Sequence, residues 1–277
     1  MGKGLAKRTI MGLVLLALMT VAALNAYAFL AIFGWLIWLM TEEFFKMTVP
    51  GRRLAKEKFC IYTAELSFYV LVFCHLQFAL PLKWSAIAIV PLILSYVFML
   101  LDCRSDFDFN ANLFFPIVYV MLPIVIALVF TFARGQFDGL MLLAIGLVTC
   151  LDDVGAYMVG MAFGQRPGSR KISPNLSPKK SLAGLLGGVA ATFVAAFAAW
   201  LVFGTEELAL VHWMVIALIV SVFGILGDLF ESLIKRHASV KDAGRIMPGH
   251  GGALDRFDSM LFVFPLVILY LKLIAYF

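Results

Sequence analysis

The sequence predicts an all-α polytopic membrane protein with about nine transmembrane helices. Three observations predict it. The 277 residues are 63% hydrophobic and only 14% charged, against about 45–50% and about 25% in soluble domains. The apolar residues fall in runs near the ~20-residue length of a spanning helix, not in the alternating ten-residue segments of an outer-membrane barrel. The basic residues also gather in alternate loops, as they do on the cytoplasmic side of a membrane.

The N-terminus is basic and then apolar, like a signal peptide. Its apolar run from Thr9 to Met40 outlasts an h-region of about 7–15 residues, so it is expected to be membrane-embedded and retained. The run is too long for one span, and a division near Asn25 gives a short first helix and a second ending at Glu42 and Glu43. Further segments are expected at 59–79, 84–101, 113–132, 139–163, 182–203, 208–234 and 260–276. An odd count puts the two termini on opposite sides, and loop charge puts the N-terminus in the cytoplasm. With that topology only Lys83, Arg134 and Lys272 of the 22 Lys and Arg lie away from the cytoplasmic segments. Merging the first two helices would scatter the pattern. Residues 1–110 then form the N-terminal helices, and 111–277 the helices that carry the polar loops.

Composition narrows the function. The four cysteines lack CxxC spacing and read as structural thiols. The net charge of +5 follows from the loops and is no sign of a nucleic-acid partner. His75 and His212 lie in apolar runs and read as interior or interfacial residues.

The chemistry concentrates between Asp228 and Asp258. Asp228, Glu231, Ser232 and Lys235 share one helical face. The Pro248-Gly249-His250-Gly251-Gly252 turn cannot continue that helix, and its glycines can turn N–H groups toward an anion. Asp255 and Asp258 follow at i,i+3 around Arg256. Carboxylates from two helix ends suit a hard cation such as Mg²⁺, which keeps substrate phosphates as further ligands. A solvated helix end with a Glu231–Lys235 pair is the plainer reading of the first group alone.

The run Ser232-x-x-Lys235-Arg236, Lys241-Asp242 and Pro248-x-His250-Gly251-Gly252-x-x-Asp255-Arg256-x-Asp258 resembles the signature of the phosphatidate cytidylyltransferases, or CDP-diacylglycerol synthases. Asp153-Val154-Gly155-Ala156-Tyr157 is similar to that family's Asp-Thr-Gly-Ala-Tyr element, with Val154 in place of Thr. The stretches Lys171-Ile172-Ser173-Pro174 and Ser177-Pro178-Lys179-Lys180-Ser181 are similar to its basic Ser-Pro loop. Ala183 stands where the family carries Glu, so no role passes to it. The resemblance spans about 151–259. It implies an integral membrane enzyme, a homodimer, that makes CDP-diacylglycerol and pyrophosphate from CTP and phosphatidate with Mg²⁺ and room for a second cation. It also implies metal ligation by Asp228, Asp255 and Asp258.

The remaining site residues follow from charge, from the glycine turn and from the resemblance. Lys235, Arg236, Lys241, His250 and Arg256 are expected to face the reacting phosphates. Asp153, Lys171, Lys179, Lys180, Ser232, Gly251 and Gly252 are expected to bind substrate. Asp152 and Asp153 interrupt an apolar segment, where each costs about 2.5–3.5 kcal/mol at the bilayer centre, so they should face a polar cavity or a cation. A bacterial inner-membrane location is expected, with the active site on the cytoplasmic side where the long basic loops lie. Two other functions fit less of the pattern. One is CTP-dependent activation of a different lipid phosphate. The other is an ion or solute transporter built on the intramembrane aspartates.

Overall fold

In the computed structural model, residues 2–49, 55–101, 107–166, 168–174, 176–203, 208–244, 246 and 251–277 are described. The expected His250 and the turn residues 247–249, with Arg52, Arg53 and Arg245, lie outside them. The chain forms two compact units, 1–139 with 242–256, and 140–241 with 257–277.

The first unit opens with α1 (Gly2–Leu24) and α2 (Ala26–Thr48). Asn25 divides them as expected. Its backbone is extended, and its side chain accepts the Tyr27 and Ala28 N–H groups at 2.9 and 3.0 Å, which caps α2. The end expected at Glu42 and Glu43 is displaced to Thr48 because both carboxylates find partners and neither stops the helix. Glu42 pairs with Lys46 one turn on and accepts the Tyr62 hydroxyl, while Glu43 is fully buried.

Next come α3 (Ala55–Phe78), a 3₁₀ segment Leu82–Ala88 running into α4 (Ile89–Leu101), and α5 (Phe107–Pro116). A π turn at Ile117–Met121 joins α5 to α6 (Leu122–Thr131). Pro123 follows this turn and lacks the N–H that would continue the ordinary ladder. The core of the unit is aromatic and aliphatic. Phe29, Phe44, Phe45, Tyr69 and Phe73 are fully buried, and Phe29 stacks on Phe33 with centroids 4.2 Å apart.

The second unit holds α7 (Leu140–Ala162), a short antiparallel hairpin of β1 (Lys171–Ser173) and β2 (Ser177–Ser181), α8 (Leu182–Phe203) and α9 (Leu210–His237), with most of α10 (Leu254–Leu273). The hairpin sits where the resemblance implies only a basic Ser-Pro loop. Small residues let α7 and α8 approach closely. A Cβ at Gly155 would overlap Ala191 and lie 2.8 Å from the Gly187 carbonyl oxygen, and one at Gly187 would overlap Val159.

Among the described residues, seven helices are long and apolar enough to cross a membrane. They begin at Ala26, Ala55, Leu82, Ala111, Leu140, Leu182 and Leu210. Two of the nine expected segments fall short of that mark: the apolar part of α1, Ile10–Leu24, and α10, which carries Asp255, Arg256, Asp258 and Lys272. Large apolar side chains face outward on α8, with Val202 81% and Val194 70% exposed, as lipid-facing helices require. The protein is therefore an integral membrane protein of helical class.

Candidate active site

The second unit brings three carboxylates together. One ligand oxygen each from Asp228, Glu231 and Asp258 lies within 4.8 Å of the others. Asp228 and Glu231 come from successive turns of α9, as their i,i+3 spacing predicts. Asp258 comes from α10 and approaches because position 227 is glycine: a Cβ there would lie 2.6 Å from the Asp258 carbonyl oxygen and 3.0 Å from the Ser259 Cα. The Ser259 hydroxyl donates to the Gly224 carbonyl oxygen at 3.1 Å and ties the two helices together at this level. Its N–H donates to Asp258 Oδ1 at 2.8 Å. Glu231 and Asp258 are buried, and Asp228 is half-buried.

Two ammonium groups offset this crowding. Lys235 is buried and pairs with Glu231 one turn earlier on α9. Lys180, from β2, pairs with Asp228. The hairpin thereby brings the basic Ser-Pro loop to the acidic cluster. Three oxygen donors converging with partial charge compensation fit a hard divalent cation, and the set contains no nitrogen or sulfur donor that would favour zinc.

Asp228 also lines a cavity of about 360 Å³ with Asp152, Asp153, Lys179, Lys180 and Gly224. The two aspartates of α7 divide their roles. Asp153 is exposed into this space, whereas Asp152 is buried and accepts the Thr192 hydroxyl at 2.6 Å. Helix α7 thus lines the cavity with both carboxylates and uses the buried one to tie α7 to α8 as well.

The other expected residues scatter more. Ser232 is buried on α9. Lys171 is held in its own loop, donating to the Gly164 carbonyl oxygen at 2.8 Å and to Gln165 Oε1 at 3.2 Å. Arg236 is exposed and donates to the carbonyl oxygens of Leu176 and Val240. Lys241 and Arg256 are exposed.

Gly251, Gly252 and Asp255 belong to the first unit. Asp255 was expected to ligate metal. Its Oδ2 accepts the Gly252 and Ala243 N–H groups at 2.7 and 3.0 Å. Gly251 has φ +86° beside that carboxylate, a conformation that favours glycine.

Two residues were given no site role from the sequence. Glu231 belongs to the acidic cluster, and its i,i+3 spacing from Asp228 was the available signal. Glu43 is fully buried yet bonded to the chain 210 residues later; its only mark in the sequence was an acidic pair at the end of an apolar run.

With this geometry in place, comparison with known proteins decides the family. The sequence model of the cytidylyltransferase family matches residues 6–274. The chain belongs to the cytidylyltransferase family. It is similar to the phosphatidate cytidylyltransferase of Staphylococcus saprophyticus, 46% identical over 121 residues that cover 44% of this chain and 45% of that protein. The Bacillus subtilis phosphatidate cytidylyltransferase is 46% identical over 123 residues, 44% of each chain. That of Staphylococcus haemolyticus is 39% identical over 184 residues, 66% of each. The chain thus spans less than half the length of the first two relatives and about two thirds of the third.

Proposed function

We propose that this cytidylyltransferase makes CDP-diacylglycerol from CTP and phosphatidate, in a bacterial inner membrane with the site on the cytoplasmic face. The observation that carries this reading is the acidic trio Asp228, Glu231 and Asp258, which shares Asp228 with a cavity lined by Lys179 and Lys180. The kinship to phosphatidate cytidylyltransferases supports the choice of lipid. The topology is the nine-helix one with a cytoplasmic N-terminus, the working unit is a homodimer, and the catalytic loops lie in residues 111–277.

A phosphate oxygen of phosphatidate attacks the α-phosphorus of CTP. The bond from that phosphorus to the β-phosphate bridging oxygen breaks, and pyrophosphate leaves with its electron pair. The lipid phosphate is already largely ionised near neutral pH, so no strong general base is required. The work left to the protein is positioning and offsetting repulsion between anions.

Asp228, Glu231 and Asp258 would hold Mg²⁺, which when bound supplies neutralising charge to the nucleotide phosphates. Lys179 and Lys180 offer cationic donors at the cavity, the exposed Arg236 and Lys241 of the same unit add positive charge, and Arg256 is a further cation for the phosphates. Lys235 sets the charge of the trio through Glu231. Asp153 orients substrate within the cavity, while the apolar helices keep the acyl chains in the bilayer.

The test is product formation by the purified protein with labelled CTP, phosphatidate and Mg²⁺. Labelled CDP-diacylglycerol and one pyrophosphate per turnover are expected, with turnover lost in Asp258→Asn while the protein stays monodisperse. Turnover with sugar nucleotides in place of CTP, or ion flux in liposomes without CTP consumption, would overturn the reading.

A further inference from the structure

Glu43 lies in the last two turns of α2, beside Glu42 at the end of its apolar run, and is 0% exposed. A buried carboxylate is costly unless its oxygens are satisfied. Here both are. Oε1 accepts the Ala253 N–H at 3.0 Å, and Oε2 accepts the Leu254 N–H at 2.9 Å. These donors belong to the start of α10, where a helix leaves N–H groups without partners in its own turn. Helix starts are usually capped by a neighbouring Ser, Thr, Asp or Asn. Ala253 has no side chain for that task, and Glu43 supplies the cap from 210 residues away. Negative charge at this end also meets the positive end of the helix dipole.

The surrounding glycines fit the same purpose. A Cβ at Gly252 would stand 2.5 Å from Glu43 Oε2, and one at Gly244 would overlap Oε1. Gly252 therefore admits a carboxylate to the backbone. Its own N–H is turned to Asp255 Oδ2, which also accepts the Ala243 N–H. Two acidic side chains thus gather four backbone N–H groups, at 243, 252, 253 and 254.

We propose that Glu43 is a positioning residue, which clasps residues 252–254 and with them the first turn of α10 in the form needed to receive the nucleotide. The role in nucleotide binding rests on the function proposed above; the clasp does not.

The experiment measures amide hydrogen exchange across 243–256 and steady-state kinetics on the full-length protein in lipid nanodiscs. In Glu43→Gln, exchange at 251–256 should accelerate about tenfold or more, since a bond to a charged acceptor is lost. The KM for CTP should rise by a similar factor while the KM for phosphatidate holds. Gly244→Ala, which presses on the same carboxylate from the other side, should reproduce both changes and serves if the Gln variant fails to fold. Glu42→Gln, on the neighbouring residue with different partners, should leave both unchanged. Unaltered exchange in Glu43→Gln and Gly244→Ala would overturn the clasp. Lost protection with unaltered CTP kinetics would overturn the positioning role. If the wild-type protein consumed no CTP, the proposed reaction would fail, yet faster exchange in the variants would still uphold the clasp.

Discussion

Replacing Lys235 by Met keeps most of the aliphatic stem and removes the ammonium that pairs with Glu231. The side chains of the two residues are only 11% and 1% exposed, so water cannot take over the compensation. The acidic trio lies within 4.8 Å. At that separation two like charges repel by roughly 3–4 kcal/mol with an effective dielectric near 20. Removing one partner of a buried pair typically costs about 3–5 kcal/mol, and the two figures agree. Unfolding of the purified protein in detergent, with chelator present, should therefore show Lys235→Met destabilised by about 3–5 kcal/mol. Glu231→Gln with Lys235→Met should recover much of this, because the orphaned charge is gone. Millimolar Mg²⁺ should restore part of the loss in the single variant, since a cation held by the trio substitutes for the ammonium. A single variant as stable as wild type, or a double variant whose loss equals the sum of the single losses, would refute the reasoning.

Two further predictions concern the α7–α8 scaffold. Gly187→Val forces a branched side chain onto Val159 and should destabilise the protein by about 1–3 kcal/mol or more, seen as a lower thermal midpoint in detergent. Thr192→Val removes the hydroxyl that donates to Asp152 at 2.6 Å and leaves a buried carboxylate oxygen short of a donor. It should cost about 1–3 kcal/mol by the same assay.

Much of this molecule was legible in the sequence because membrane helices follow from local rules. Length, apolarity and loop charge give the segments, and a single Asn with extended backbone divides the first long run at Asn25. Helical spacing alone puts Asp228 beside Glu231. The rest depends on which face meets which neighbour. Asp255 and Asp258 look equivalent at i,i+3, yet Oδ2 of Asp255 takes backbone N–H groups while Asp258 joins the acidic trio. No local pattern separates those fates. Glu43 was harder still, since its partners are 210 and 211 residues away. The β1–β2 hairpin was hidden for a different reason: its strands are 3 and 5 residues long, include Pro178, and lack the alternating apolar pattern that marks a strand.

The central claim is that Asp228, Glu231 and Asp258 jointly hold a divalent cation. Binding of Mn²⁺, followed by electron paramagnetic resonance on the purified protein without nucleotide, tests it most directly. The account predicts that Glu231→Gln, which removes one charged oxygen ligand without touching the other two, weakens Mn²⁺ binding about tenfold or more. Equal affinity in wild type and Glu231→Gln would contradict it.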